Sequence, residues 1–223
     1  MIISQAKNNL VIETGENIIP VLVIEDPEIF ADFTGSFFTQ CAGVDGSIVL
    51  SDDNGILTFS KTATLVTDYY GLDINSRRVQ SRLYQSMRDI GVELGKGKDD
   101  FTRCGIEIIE KLLNAARFDH VDYNLEIDWN DFFKLFQVRI AEDYVTIAEK
   151  LIEFIKVCSQ LLDIKLIAFV NLKSYVPHNE LLEIYRMAVY LKVNLLLIES
   201  AERESFGSEK YYIIDKDKCL IIK

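Results

Sequence analysis

Five acidic side chains close together in the sequence form its densest group of potential metal ligands: Asp119, Asp122, Glu126, Asp128 and Asp131. Clustered carboxylate oxygens suit calcium, which takes about six to eight oxygen ligands with relaxed geometry. The spacing is not that of an EF-hand, because no glycine or terminal Glu falls at the required positions. Three interpretations stay open: a calcium site, a cation pair of a metal-dependent nuclease, and a solvated acidic surface.

Four arginines on one predicted helix suit a phosphate-binding surface. Residues 75–94 have the periodicity of one long helix, and Arg77, Arg78, Arg82 and Arg88 fall within an arc of roughly 140° on it. Arginine donors suit the phosphates of nucleic acids. The alternative is an exposed helix face with salt-bridge partners, since Asp89 and Glu93 border the same arc.

The residues that would bind and hydrolyse a nucleotide are missing. The fragment nearest to a phosphate-binding loop, residues 91–98, has the wrong spacing, lacks the hydroxyl residue for magnesium and follows a helix instead of a strand. The first buried strand leads into Glu25 and Asp26, whose carboxylates would repel phosphate. Neutral Asn171 follows the strand where such hydrolases carry an acid. We therefore expect no nucleotide cofactor.

No catalytic combination of side chains is recognisable either. His120 and His178 lie in predicted connecting segments without a Ser or Cys partner, so we expect surface histidines and a protein that is not an enzyme. The four cysteines are far apart and form no CxxC pair, which predicts buried thiols.

Composition restricts the class of protein. With 223 residues, 49% of them hydrophobic, the chain can form one domain with an insertion. It has no apolar stretch of about 20 residues and no secretory pattern, which favours a cytoplasmic protein without a membrane partner. A formal net charge of −11 means that any DNA site must be a local basic surface, because affinity for DNA comes largely from Lys and Arg.

Short apolar runs at both ends of the chain predict the strands of an α/β fold. Residues 21–24 form one buried strand that precedes a helix. Residues 165–171 and 193–199 form two more, and the amphipathic helix between them at 177–191 implies parallel pairing. The pattern predicts a mostly parallel sheet covered by helices.

Helical periodicity dominates the middle of the chain. Helices are predicted at 75–94, 99–117, 128–136 and 142–162. On the first of them one apolar face is expected, formed by Val79, Leu83, Met87, Ile90 and Leu94. We therefore predict an α/β head at 1–72 and 161–223, interrupted by a helical leg at 73–160.

Several segments, in order, resemble one known family. The most specific is 65–76, Leu-Val-Thr-Asp-Tyr-Tyr-Gly-Leu-Asp-Ile-Asn-Ser, supported by 21–26, 165–171, 193–199 and 211–217. Together they resemble the CRISPR-associated Csn-two family of subtype II-A systems over nearly the whole chain. The resemblance implies a degenerate P-loop-ATPase-like head without ATPase activity, a helical leg, and a homotetrameric ring that encircles double-stranded DNA.

The resemblance also implies a role and partners. Such proteins assist spacer acquisition in antiviral defence, alongside the Cas integrase and the RNA-guided effector nuclease, and calcium near the junction of head and leg stabilises their DNA-binding form. The segment that contains Asp119 to Asp131 corresponds to the one where the family has calcium-binding carboxylates. A ring could combine an acidic exterior with a basic lining that ignores base sequence. Candidate phosphate contacts, inferred from this sequence itself, are Arg77, Arg78, Arg82 and Arg88, with Lys96 and Lys98 behind them. The alternatives to a DNA-binding ring are a metal-dependent nuclease and a protein-interaction scaffold whose helical hairpin does not bind DNA.

Overall fold

A computed structural model describes residues 1–15, 17–94, 97–117, 120–205 and 207–223. The described chain forms two compact units, one made of Met1–Ile74 with Glu142–Lys223 and the other of Asn75–Ala141. We call them the α/β unit and the helical unit. The strands and helices are, in chain order, β1 (Ile2–Gln5), β2 (Leu10–Glu13), β3 (Ile19–Ile24), α1 (Pro27–Cys41), β4 (Ile48–Asp52), β5 (Gly55–Ile56), α2 (Phe59–Thr62), β6 (Ala63–Val66), α3 (Arg77–Leu94), α4 (Gly97–Ala116), α5 (Trp129–Leu135), α6 (Ile147–Gln160), β7 (Leu166–Val170), α7 (His178–Tyr190), β8 (Asn194–Glu199), β9 (Glu209–Ile214) and β10 (Leu220–Ile222).

A six-stranded sheet with the order β10-β9-β3-β8-β7-β6 forms the centre of the α/β unit. All neighbouring strands in it are parallel except the β9–β10 pair at one edge, which is antiparallel. Every residue of β3 is buried, as expected for a strand covered on both faces. The predicted α/β class with a mostly parallel sheet is confirmed, including the parallel pairing of β7 with β8.

The helix after the first parallel strand begins as the sequence predicts. The Asp26 side chain accepts hydrogen bonds from the amides of Glu28 and Ile29, and Pro27 occupies the first helical position. Phe33 and Phe37 of α1 are fully buried in the core beside the sheet. The capping residue and the aromatic spacing together fix both the start and the buried face of α1.

A second sheet lies near the amino terminus. The turn-forming residues 51–55 correctly predict its β4–β5 hairpin, but the pairing of β1 and β2 with this hairpin was not predicted. The sheet is antiparallel, has the order β2-β1-β4-β5, and contributes Ile3, Ile12 and Leu50 to the core that contains α1. Strands β1 and β2 have four residues each, and β1 pairs with β4 more than forty positions away. Such short, non-local pairing leaves little periodic signal in the sequence.

Helix α6 belongs to the α/β unit, whereas we expected it in the helical leg, so the units divide at 74 and 142 instead of 72 and 161. The helix begins at Ile147 because the Thr146 hydroxyl and the Glu149 carboxylate form a capping box. Its buried face, which includes Leu151 and Ile155, packs beside α7. The apolar spacing by four and three correctly predicts that α6 packs against another helix. Periodicity alone does not tell which helix that is.

Three helices form the helical unit, and their predicted ranges agree closely with α3, α4 and α5. The predicted apolar face of α3 is correct at Val79 but not at its end, where Ile90 and Leu94 are exposed. Near the carboxyl end of α3 the buried residue is Gly91, which packs against Trp129 of α5.

No helix in the described ranges is both long and apolar enough for a membrane span. Of the cysteines, Cys158 is buried, but Cys104 and Cys219 are exposed, which corrects the prediction of buried thiols.

Candidate nucleic-acid interface

Three arginines extend into solvent from the first turns of α3. Arg77, Arg78 and Arg82 are all exposed, and we call them the arginine face. Arg82 donates a hydrogen bond to Gln85 Oε1 at 3.1 Å. Arg77 and Arg78 make no ion pair within the described ranges. Their charges are thus available to bind an anion. An arginine already paired with a neighbouring carboxylate would be less available.

Arg88, the fourth predicted arginine, has a different environment. Its Nε lies 3.9 Å from Asp89 Oδ1, and the side chain borders a cavity between α3, α4 and the segment before α5. Arg88 is itself exposed, with 45% of its side chain accessible, and at about 100° per residue it lies about 20° from Arg77 on the helix. All four arginines of the predicted arc are therefore exposed, and Arg88 differs in that it also borders the cavity and lies near a carboxylate.

Contacts with α5 and the end of the helical unit hold α3 in place. A Cβ at Gly91 would come within 2.8 Å of the Trp129 ring, so the two helices approach as closely as glycine allows. The Tyr84 hydroxyl donates to the Val138 carbonyl at 3.1 Å. The Asn75 amide exchanges two hydrogen bonds with the Ile140 backbone, at 3.0 and 2.9 Å. These contacts fix the orientation of the arginine face relative to its own unit.

Lys98 is directed into the helical unit. Its Nζ donates to the Ile127 carbonyl at 2.7 Å and lies 5.9 Å from the centre of the Trp129 ring, and only 20% of the side chain is exposed. In this arrangement Lys98 joins the amino-terminal end of α4 to the acidic segment. Lys96, the other predicted lysine, lies outside the described residues.

The acidic residues are spread along one segment. Asp128 caps α5 by accepting the Asp131 amide at 2.7 Å, Asp131 pairs with Lys134 at 3.0 Å, and Asp122 accepts the Tyr123 amide at 2.9 Å. Asp119 lies outside the described residues. Among the residues that the structure describes, no three acidic, His or Cys side chains converge to hold a metal ion. The described carboxylates therefore do not by themselves form a calcium site in this conformation.

Predicted cations and predicted carboxylates do meet in one open cavity of about 1060 Å³. Arg88, Lys98 and Arg103 line it together with Glu126, Asp128 and Asp131. Arg103, which was not among the predicted phosphate contacts, pairs with Asp100 at 2.8 Å. A wall with both signs of charge suits a hydrated, ion-dependent contact more than an apolar ligand.

Charge is distributed unequally between the two units. The α/β unit contains 13 Lys and Arg against 24 Asp and Glu, a formal charge of −11, whereas the helical unit contains 11 of each and is neutral. The whole excess of negative charge therefore resides in the α/β unit. A polyanion would be repelled least by the helical unit.

At the carboxyl end of the parallel sheet, groups that bind phosphate in nucleotide hydrolases have internal partners. The Asp26 carboxylate accepts the first amides of α1, both at 2.9 Å, and places a negative charge there. Asn171, after β7, accepts hydrogen bonds from the amide and hydroxyl of Ser200, both at 2.9 Å. These two residues stabilise turns of the fold.

Comparison with known proteins identifies the family. Residues 40–218 match the family described as CRISPR-associated protein (Cas_Csn2). The chain belongs to the Csn2 family. It is 25% identical over 202 residues to CRISPR-associated protein Csn2 of Streptococcus agalactiae, an alignment that covers 90% of this chain and 89% of the relative.

For this Csn2 family member, the matched region contains the arginine face, the cavity and a buried polar network that the sequence did not reveal. Lys173 Nζ donates to Glu209 at 2.7 Å and to the Tyr211 hydroxyl at 2.6 Å, while the Tyr185 hydroxyl donates to the other Glu209 oxygen at 2.6 Å. These residues come from three separate segments, since Glu209 and Tyr211 share β9, so no local spacing could indicate the whole network. A Glu at the end of an apolar strand, Glu199, was the only available signal.

Glu199, a buried carboxylate at the end of β8, is only partly hydrogen-bonded. Its Oε1 accepts the Lys173 amide at 3.1 Å, but Oε2 accepts no hydrogen bond among the described residues and faces Arg203 Nε at 3.8 Å. Burial raises the pKa of the Glu199 carboxyl to about 6, against the lowering effect of the Lys173 amide and the Arg203 charge. Desolvation thus outweighs the partners that favour its charged form.

Proposed function

We propose that this protein is a noncatalytic accessory of CRISPR spacer acquisition that binds double-stranded DNA, including its ends, independently of sequence. The observation that carries the DNA-binding part is the arginine face on a unit without net charge. Membership of the Csn2 family supports the role in CRISPR-based defence. Arginine contacts with phosphate position a protein on DNA without reading its bases, which suits capture of arbitrary sequences.

The proposal includes a homotetrameric ring and assistance by calcium. A ring of several copies would present several arginine faces to one duplex and keep the acidic α/β units away from the phosphates. For calcium, the acidic segment supplies carboxylates, but the described ones do not converge. Any calcium ligation would require their rearrangement or the participation of further residues. The proposed partners are the Cas integrase and the RNA-guided effector nuclease.

Charge reversal of the arginine face tests the DNA-binding proposal. In Arg78→Glu/Arg82→Glu the affinity for linear duplex DNA should fall by at least tenfold at low salt, because two phosphate contacts become repulsive. The slope of log affinity against log salt should fall in magnitude by about two. Fluorescence anisotropy with a labelled duplex of arbitrary sequence, over a series of salt concentrations with and without calcium, measures both quantities.

The matched control is Arg186→Glu/Lys192→Glu, which makes the same change of charge in the α/β unit. It should weaken duplex binding much less than reversal of the arginine face. Equal effects of the two double variants would show that only net charge matters and would contradict the proposed interface. Cleavage of the duplex on addition of magnesium or manganese would contradict the noncatalytic role.

A further inference from the structure

Tyr70 belongs to the most specific sequence stretch, yet the fold does not require its ring. The backbone of this stretch is fixed by Asp68, whose Oδ1 accepts the amides of Tyr70 at 3.1 Å and Gly71 at 2.9 Å. The neighbouring Tyr69 is 1% exposed and donates to the Val170 carbonyl at 2.8 Å. The Tyr70 side chain, by contrast, is 74% exposed. A large exposed aromatic side chain on an ordered turn is available to a partner.

A series of aromatic rings supports Tyr70 from the core outward. The rings of Phe169 and Tyr69 are 6.3 Å apart, those of Tyr69 and Tyr175 are 4.7 Å apart, and those of Tyr175 and Tyr70 are 6.1 Å apart, edge to face. Tyr175 is 42% exposed, so two of the four rings reach the surface. Because the inner rings are buried, the outer pair is held in position before any partner binds, which lowers the entropic cost of binding.

The cations next to this tyrosine pair already have internal partners. Lys150 Nζ donates to the Tyr70 carbonyl at 3.0 Å. Arg203 donates to the Ser174 hydroxyl at 2.8 Å and faces the buried Glu199 carboxylate. The tyrosine pair therefore offers aromatic faces and phenol oxygens, while the neighbouring positive charges are engaged.

Negative charge lies on the turn that carries Tyr70 and on the α6 segment, whose Lys150 contacts that turn. Besides Asp68 at the turn, carboxylates gather around the start of α6, where Lys150 lies. The pKa of Tyr144 is raised there by burial and then by the charges of Glu142, Glu153 and Asp143. The whole α/β unit has a formal charge of −11. A cationic partner would be attracted to this surface, whereas the phosphates of a nucleic acid would be repelled.

We propose that Tyr70 and Tyr175 form the centre of a docking surface for an Arg- or Lys-rich segment of a partner protein. Guanidinium and ammonium groups bind the faces of tyrosine rings, and protein interfaces combine an aromatic centre with a charged rim. The inference rests on the proposed function only in assuming that the protein works with other proteins, and it needs no duplex binding. It separates the molecule into a DNA-binding helical unit and a protein-binding α/β unit.

Substitution of Tyr70 tests the docking surface. The probe is a fluorescein-labelled peptide of alternating Arg and Ser, titrated with the full-length protein and followed by anisotropy. Tyr70→Ala should weaken binding of this peptide about two- to fivefold, the effect of one exposed cation–π contact. Tyr70→Phe, which keeps the ring, should bind like the wild type. Circular dichroism verifies that the variants are folded.

The matched control is Tyr190→Ala, because Tyr190 is 80% exposed at the other end of α7 from Tyr175. It should leave peptide binding unchanged, as should Arg78→Glu/Arg82→Glu, and Tyr70→Ala should leave duplex affinity unchanged. Equal losses in Tyr70→Ala and Tyr190→Ala, or no loss in either, would overturn the proposal. Binding of labelled oligothymidylate that depends on Tyr70 would also overturn it, in favour of an unpaired nucleic-acid strand.

Discussion

Glu199 shows how a single residue can oppose the stability of the fold that contains it. The side chain is 1% exposed at the end of β8, and one of its oxygens has no hydrogen-bond donor among the described residues. An ionised carboxylate in such a position costs free energy unless its partners compensate fully. The raised pKa means that compensation by Lys173 and Arg203 is incomplete. The carboxylate at this position is therefore not explained by a contribution to stability, and a function in binding would explain it.

We predict that Glu199→Gln stabilises the protein at neutral and alkaline pH. The folded-state pKa of about 6 exceeds the ordinary value of 4.5, which applies to the unfolded chain. Between these two pH values the folded state binds more protons than the unfolded state, so the free energy of unfolding falls as the pH rises. The shift corresponds to about 2 kcal/mol in the free energy of unfolding, which Gln would recover at pH 8. At about pH 3, well below both pKa values, Glu199 is protonated in the folded and the unfolded state, and the difference should vanish. Urea unfolding at the two pH values measures it.

Glu202→Gln is the control for this prediction. Glu202 is nearby in the sequence but exposed, and it pairs with Lys223 at 2.8 Å. Exposed pairs contribute at most about 1 kcal/mol, so its removal should change the free energy of unfolding little at either pH. A pH-independent effect of Glu199→Gln would refute desolvation as the cause.

At the scale of elements, the sequence predicted what depends on local pattern. The apolar runs of β3, β7 and β8, the cap of α1 and the periodicity of α3 each lie in one continuous segment, and the structure contains all of them. The solvent exposure of Arg78 and Arg82 follows from the same periodicity. Contacts between distant segments were not predictable. The pairing of β1 with β4, the packing of α6 on α7 and the hydrogen bond from Lys98 to Ile127 are examples.

At the contact between α3 and α5, alanine in place of Gly91 would have two opposing effects on the free energy of unfolding. Alanine in place of glycine favours a helix by about 1 kcal/mol. At Gly91, however, the new Cβ would meet the Trp129 ring at 2.8 Å, and that ring is confined by Phe132 and Phe133. Overpacking of this kind costs about 1–3 kcal/mol. We therefore expect Gly91→Ala to destabilise the protein by about 1 kcal/mol in chemical denaturation.

Gly105→Ala is the matched substitution on α4. Nothing lies within 4 Å of a Cβ placed at Gly105, so only the helix preference remains. This variant should be stabilised by up to about 1 kcal/mol. The two alanine variants should therefore change stability in opposite directions. The same direction in both would mean that the approach of Trp129 to Gly91 is not a close contact in solution.

At the scale of the whole molecule, exposed apolar surface indicates association. On α4 the side chains of Phe101, Cys104, Ile108 and Leu112 recur three or four residues apart, share one side of the helix and are exposed. We call them the α4 stripe. Soluble monomers rarely leave a large continuous apolar surface in water. The stripe lies in the helical unit, which has no net charge, so a contact between two helical units is not opposed by like net charges of those units.

The α4 stripe gives the proposed homotetramer a test in a single side chain. Leu112 is 63% exposed, and burial of a leucine contributes about 1.5–3 kcal/mol, so Leu112→Glu should weaken self-association at least tenfold. Native mass spectrometry and sedimentation should show a shift from four copies towards fewer, and duplex affinity should fall with it. Val145→Glu, at an exposed position of the α/β unit, should keep the wild-type mass. A wild type of one copy would contradict the ring, and an intact tetramer in Leu112→Glu would exclude the α4 stripe as the contact that assembles it.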